Sequence, residues 1–317
     1  MRSAADLADF AAGMERRAPV QTGELDLGLL DPGGKWLNRL FADQPIPGHP
    51  GSPTCKIGDF FKCSRGIATG ANEFFCLREP DIHHHGLAVD DFDACVTKAV
   101  DLSGWIVSNK DFRKLVKSGK RCYLLNPDEI HPEMDAYLAK GMAAGVHLRH
   151  LPSKRPVWYL PERRKQPSIL VPVFSRHRPR FILNSAGLRS LTCFHGLYPK
   201  PGAEHLVPLV WIYLNSTRGL GAFGGVNRFY GNGLNKLEPK DVEQMACPDL
   251  GSIAPEHVPA LQASIKTASS ESVISEAWFD EKLADFLPAT ASIVIPEPGI
   301  SSRHSIRVPV WDRLQFR

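Results

Sequence analysis

Residues 42–54, Ala-Asp-Gln-Pro-Ile-Pro-Gly-His-Pro-Gly-Ser-Pro-Thr, carry four prolines and two glycines. Proline fixes φ and has no backbone donor, so neither a helix nor a central strand can run through such a stretch. It is a linker, and it divides the chain into a short leading segment and one larger body. Residues 1–54 are expected to be a helical segment plus this linker. Leu7, Phe10 and Met14 share one face of a helix over 5–15, and Trp36, Leu37, Leu40 and Phe41 form an apolar cluster after it.

From Lys56 the pattern changes to short apolar stretches cut by turns. Strands are expected at Ile57–Cys63, Phe74–Leu77, Cys122–Leu125, Ser168–Phe174 and Arg180–Leu183. A helix opens with Ser108 or Asn109 as cap, runs to Lys117 and stops at Gly119. Others are expected over Pro132–Lys140 with Gly141 as stop, over 239–245, 255–265 and Glu276–Phe286. Leu206–Leu214 is apolar throughout and reads equally as strand or short helix, while the tail 299–317 is polar, basic and strand-like. The mixture predicts an α+β fold: a mixed sheet with flanking helices over residues 55–250, then a helical and tail segment over 251–317. Hydrophobic residues at 43% and charged residues at 23% suit a globular protein. No apolar run approaches the ~18 residues that span a bilayer. The N-terminus has no secretory pattern, and the seven cysteines form no CxxC pair. A cytoplasmic protein with free thiols and no membrane partner is expected.

The net charge of +4 hides an asymmetry. Between Arg149 and Ser190 there are ten Lys/Arg residues against Glu162 alone, leaving 28 basic and 33 acidic residues elsewhere. Prolines and aromatics, among them Pro156, Trp158, Tyr159 and Phe174, interleave with these charges. That mixture suits an ordered basic surface facing a polyanion. Other chemistry-bearing patterns are weaker. His83-His84-His85 cannot all face one metal ion on a strand or helix and reads as a solvated loop. Gly219-Leu220-Gly221-Ala222-Phe223-Gly224 matches GxGxxG, but no helix is expected after it, and a flexible glycine loop is the expectation. The acids at Asp90, Asp91 and Asp93, or at Asp280 and Glu281, lack a convincing lysine-bearing strand beside them.

The most specific stretch is Gly58 through Arg65-Gly66-Ile67-Ala68-Thr69-Gly70-Ala71-Asn72-Glu73-Phe74-Phe75. It is followed in order by Arg121-Cys122-Tyr123-Leu124-Leu125, Gly145-Val146-His147-Leu148-Arg149-His150 with Arg155-Pro156-Val157-Trp158-Tyr159, Arg180-Phe181-Ile182-Leu183-Asn184, the apolar run ending Leu214-Asn215-Ser216, and Phe229-Tyr230-Gly231 through Leu237-Glu238-Pro239-Lys240-Asp241. This ordered set resembles the target-recognition region of TaqI-like adenine-N6 DNA methyltransferases, including fused restriction-modification enzymes. The resemblance covers about residues 36–250. It implies a catalytic domain that binds S-adenosylmethionine and flips an adenine out of the duplex. Such a domain needs an Asn/Asp-Pro-Pro-Tyr/Phe motif, yet the sequence has no Pro-Pro dipeptide; Asn126-Pro127-Asp128-Glu129 is the nearest approach. Fewer than 60 residues precede the recognition-like region, against the ~100 or more of a doubly wound domain.

The resulting expectation is a sequence-specific recognition subunit of a split adenine-N6 methyltransferase in a restriction-modification or phage-defence system. It would not be catalytic alone, and S-adenosylmethionine would sit in a separate catalytic subunit, with the two forming a heterodimer on double-stranded DNA. Arg65, Thr69 and Asn72 are candidates for phosphate or base contact. Arg149, Lys154, Arg155, Arg163, Arg164, Lys165, Arg176, His177, Arg178 and Arg180 would meet the duplex, with Trp158 and Tyr159 against the sugar edge or supporting the loop. Base reading falls among Lys154, Arg155, Gln166, Arg176, His177 and Arg178, since Arg and Gln present two donors or a donor and acceptor to a base edge. No residue is expected to ligate a metal. The N-terminal helix, the Trp36 cluster and helix 276–286 are expected to hold the partner. Two alternatives stay open: a compact enzyme with unfamiliar motifs, and a decoy or interaction protein that keeps the recognition fold.

Overall fold

The computed structural model describes residues 22–25, 55–175, 178–224, 228–230, 234–250, 256–286 and 306–309. The helix expected over 5–15, the Trp36 cluster and the linker 42–54 lie outside the described residues. The chain forms two units. In one, Met1–Pro45 with Ile293–Arg317, Thr22–Leu25 pairs antiparallel with Ile306–Pro309. The other, Ile46–Ser292, holds the sheets and helices considered below.

Its centre is a five-stranded sheet in the order Phe61–Arg65, Phe194–Pro199, Ile169–Pro172, Ile182–Asn184, Ile106–Val107. All neighbours are antiparallel except the last pair. All four residues of Ile169–Pro172 are buried. Period-2 alternation sends them to two different cores. Ile169, Val171, Phe181 and Leu197 belong to one, Leu170, Ile182 and Phe194 to the other. A strand buried on both faces shows as a continuous apolar run, which is why Ile-Leu-Val stands out in the sequence.

The first core is closed by the helix Val207–Asn215, in which every residue from Pro208 onward is buried. A helix apolar on all sides must be enclosed, and this one lies between the sheet and the helices His257–Ser270 and Glu276–Phe286. Trp211 is fully buried, with ring centroids 5.0 Å from Phe279 and 6.2 Å from Trp278. The apolar face of Glu276–Phe286 packs inside its own unit, through Trp278, Phe279 and Leu283. The packed body also runs on to Leu283, beyond the boundary expected at 250.

The second core lies between the sheet's opposite face and a four-stranded sheet, Arg189–Ser190, Phe92–Val96, Tyr123–Leu125, Cys76–Leu77. The helix Asn109–Lys117 starts at Ser108, whose hydroxyl accepts from the Asp111 amide at 3.4 Å, and Gly119 follows it at φ +66°. Together these elements make the α+β fold expected.

Several local expectations fail. The helix Pro132–Ala143 runs through Gly141 and ends before Gly145 at φ +69°. A Cβ on Gly141 would lie 2.5 Å from the Phe74 ring, so the glycine is there for packing and not for stopping the helix. Thr217–Gly224 is a helix following another helix, so its glycines form neither a nucleotide loop nor a flexible one. Glu79–His84 is a helix that carries His83 and His84 at its end, not a histidine loop. Ile57–Phe60 and Asn72–Phe75 are single helical turns where strands were expected. Among the described residues no helix is long and apolar enough to cross a membrane.

Candidate nucleic-acid interface

The registers place several loops at one end of the central sheet. Phe61–Arg65 ends there, Ile169–Pro172 ends beside it, and Phe194 and Ile182 begin there. The turn 66–71, residues 173–175 and 178–180, and the turn before Phe194 therefore share this end. The Phe229–Asp241 signature joins them as a hairpin. Arg228–Tyr230 pairs with Leu234–Lys236, which pairs with Phe174–Ser175. Leu237 donates its amide to Val173 O at 3.0 Å and accepts from His195 Nε2 at 2.9 Å.

The turn after Arg65 is built for close approach. A Cβ on Gly66 would stand 2.0 Å from Leu191 O and 2.4 Å from Phe194 O, so no side chain fits. Ile67 is buried and its amide donates to Ser190 O. Gly70 has φ +80° and lies against Leu151 and Pro152. Thr69 is 1% exposed; its hydroxyl donates to Asn72 Oδ1 and accepts from the Ala71 amide. Thr69 is thus used up shaping the turn, whereas Asn72 is exposed beside it.

The basic stretch docks on this turn through arginine forks. Arg155 Nη2 donates to Ala68 O at 2.9 Å and Thr69 O at 2.7 Å, and Nη1 to Trp158 O at 3.3 Å. Its guanidinium lies 5.0 Å over the Phe75 ring. Arg164 donates to Arg65 O and pairs with Glu162. Arg163 grips Asn126 Oδ1, Pro127 O and Asp128. Arg180 grips Leu102 O and Ser103 O at 2.6 and 2.7 Å, and Arg178 grips Asn215 O and Glu276. Arg149 pairs with Glu73. Burial pulls the Arg155 and Arg180 pKa values down from the usual arginine range, but both remain cations at neutral pH.

Beneath lies an aromatic stack. Phe74 and Tyr137 are stacked at 4.7 Å, and Trp158 tilts onto Phe74 at 5.6 Å. The Tyr137 hydroxyl donates to Phe74 O at 2.7 Å. Trp158 is half-buried in this stack and edge-on to Tyr159. It supports the loop.

The fourteen candidate contact residues therefore divide. Arg155, Arg178 and Arg180 are partly buried struts whose guanidinium groups are engaged by the protein itself. Arg149, Arg163 and Arg164 are anchored yet reach the surface. Arg65, Lys154 and Lys165 are exposed, and their charged ends have no hydrogen bond or ion pair among the described residues. Arg176 and His177 lie outside the described residues. Sequence reasoning missed Glu73, Phe74 and Tyr137. It also missed Asn184 and Asn215, buried amides that pin loops to the sheet. Asn215 accepts from the Phe181 amide at 3.1 Å and donates to Phe181 O and Trp211 O. Only their places at the ends of motif-like strings hinted at such roles.

A carbonyl acceptor satisfies a guanidinium donor without cancelling its charge. Arg155 and Arg180, held by carbonyls alone, therefore keep their full positive charge, whereas Arg149, Arg163, Arg164 and Arg178 each also face a carboxylate. Asn126, the nearest approach to a catalytic Asn-Pro-Pro-aromatic motif, has its side-chain oxygen held by Arg163 and its amide on Asp91 O. These residues do not fit the adenine-holding role of that motif. Among the described residues no group of three His, Cys, Asp or Glu side chains could hold a metal ion.

Residues 50–283 match the family model of the type II methyltransferase M.Eco57I C-terminal domain. The type II methyltransferase M.AccI of Acinetobacter calcoaceticus is 32% identical over 195 residues, 61% of this chain and 36% of the relative. M.XamI of Xanthomonas campestris pv. amaranthicola is 27% identical over 202 residues, 62% of this chain and 37% of the relative. The matched part thus spans little more than a third of these relatives. A crystal structure of the type IIG restriction endonuclease BpuSI superposes at TM-score 0.45 and 15% identity, over 67% of this chain and 26% of that one.

Proposed function

Since the chain belongs to the family of type II methyltransferase M.Eco57I C-terminal domains, we propose that it reads DNA sequence for an adenine-N6 methyltransferase of a restriction-modification or phage-defence system. The observation that carries this is the exposed set Arg65, Lys154 and Lys165, with the segments of the two lysines tied by Arg155 to the turn 66–70 and by Arg164 to Arg65 O. Cations on an ordered platform meet phosphates without first paying to order the loop, and the surrounding tied arginines add to the field. Double-stranded DNA is the partner of this face.

The methyl transfer, with S-adenosylmethionine, belongs in this proposal to a separate catalytic subunit, the two forming a heterodimer. What supports that division is the lack of any Pro-Pro dipeptide and the structural use of Asn126. The chain would then bind DNA but not the cofactor.

The test is a gel shift of the full chain with duplex DNA at several salt concentrations. Binding should weaken steeply with salt. The triple variant R65A/K154A/K165A should flatten the log–log slope by about 0.9 for every phosphate that is no longer neutralised. Absence of duplex binding at low salt, or a slope unchanged in the triple variant, refutes the assignment. Calorimetric binding of S-adenosylmethionine to the chain alone refutes the division of labour.

A further inference from the structure

Most arginines at the candidate interface are gripped by main-chain carbonyls. Arg149 differs. It follows the one-turn helix Val146–Leu148, and its side chain is 44% exposed. Arg163, Arg164 and Arg178 hold a main-chain oxygen as well as a carboxylate, whereas among the described residues Arg149 is held by a carboxylate alone, Nη1 to Glu73 Oε1. Glu73 is itself 58% exposed, on the turn Asn72–Phe75 that caps the Gly66–Gly70 loop. The Glu73 main-chain oxygen accepts from Arg121 Nη1 at 2.7 Å, so the backbone beneath the carboxylate is also fixed. The Nε–Nη2 edge of Arg149 has no partner among the described residues, so two parallel donors point away from Glu73.

That is the donor pattern which guanine answers. Its O6 and N7 are two acceptors on the major-groove edge, and a guanidinium held in one orientation meets both at once. A flexible arginine would have to surrender its rotamer freedom on binding; one already held by a carboxylate has largely done so. A bare phosphate contact gains less from such a brace, because a phosphate accepts from many directions. An exposed ion pair adds little to fold stability, so its placement calls for another purpose.

Building on the DNA-reading assignment above, we propose that Arg149 is a specificity-determining residue that reads one guanine, and that Glu73 is the positioning residue that aims it. Glu73 acts through Arg149 and does not itself touch the base.

The test uses the full chain and a randomised duplex library. Sequences retained by the wild type define its preference at each position, and the same selection is run on R149K, E73A and E73Q. R149K keeps the charge but loses the planar fork. It should lower the preference for guanine at one position by about tenfold or more while leaving the salt slope unchanged. E73A should relax that same position without weakening binding to non-cognate duplex, because a negative charge has been removed. E73Q, whose amide oxygen still accepts from Arg149, should recover part of the preference. Thermal melts should match the wild type for all three. Uniform weakening across sequences in R149K, with no position relaxed, would assign Arg149 to a phosphate and overturn the inference, as would relaxation at different positions in R149K and E73A. If the wild type binds duplex but enriches no sequence, sequence reading by the chain fails and this inference with it. If the wild type enriches a sequence that all three variants retain, the inference alone falls.

Discussion

Replacing Arg155 with lysine separates a base reader from a strut. In the structure its fork makes two bonds from Nη2, to Ala68 O and Thr69 O, and a longer one from Nη1 to Trp158 O, while its plane covers Phe75. Charged hydrogen bonds contribute about 1.5–3 kcal/mol each. A lysine ammonium reaching the same place can replace one of the short pair and loses the planar stacking. The expected net loss is about 2–3 kcal/mol, a fall in Tm of about 5–10 °C for a unit of this size. Because the charge survives, the salt dependence of duplex binding should stay as it was. Affinity should drop for all sequences alike, since the loop must now be ordered on binding. Melting curves paired with gel shifts on cognate and position-substituted duplexes measure both. A Tm within about 1 °C of wild type, together with relaxed preference at a single position, would show that Arg155 reads a base and that its carbonyl contacts are incidental.

Two further outcomes follow from buried and capping groups. Asn215→Ala strips the Phe181 amide of its acceptor at a fully buried site, where Trp211 Nε1 can still serve Phe181 O. A loss of about 3 kcal/mol is expected from one unsatisfied donor plus a small void, read by urea unfolding, and a loss under about 1 kcal/mol contradicts the buried clamp. His131 stands at the start of the helix Pro132–Ala143, with Nε2 3.0 Å from Asp91 and Nδ1 2.9 Å from Glu133, so the protonated ring donates to both carboxylates. Asp91 first, and then Glu133, push its pKa above the ordinary histidine value. A group whose folded pKa is raised contributes fully below its unfolded value, about 6.5, and loses that contribution as pH rises through the folded value. The stability gap between wild type and H131A should therefore be wider at about pH 5.5 than at about pH 8.5, and the ring should titrate above about 6.5 by NMR; a gap that widens with pH reverses the assignment.

Elements carrying their own end signals were legible in the sequence. Ser108 and Gly119 bound one helix as expected, and Glu276–Phe286 matches its amphipathic pattern to the residue. What escaped notice depended on distant partners. Gly141 has the chemistry of a stop, but Phe74 and Trp158 crowd its position and tolerate no side chain. Gly219 resembles a nucleotide loop because it must let the Tyr213 carbonyl approach, where a Cβ would sit at 1.9 Å. The Leu206–Leu214 run reads as strand or helix until a sheet on one side and two helices on the other enclose it. The same holds at the interface. Composition shows ten cations between residues 149 and 190, yet only the fold reveals which are held by main-chain carbonyls and which face outward. Six family-like strings were visible, and several prove to be joints: Gly66, Thr69, Asn184 and Asn215 bind loops to the sheet.

The arginine struts share one property with a consequence for divergence. Arg155, Arg164, Arg178 and Arg180 each hold a main-chain oxygen, at Ala68 and Thr69, Arg65, Asn215, and Leu102 and Ser103. Every amino acid offers that oxygen. Exposed side chains on the gripped loops can therefore be exchanged without loosening the grip. A lineage could alter what the surface recognises one residue at a time while the architecture beneath stays folded, and a laboratory library confined to exposed loop positions should inherit the same tolerance.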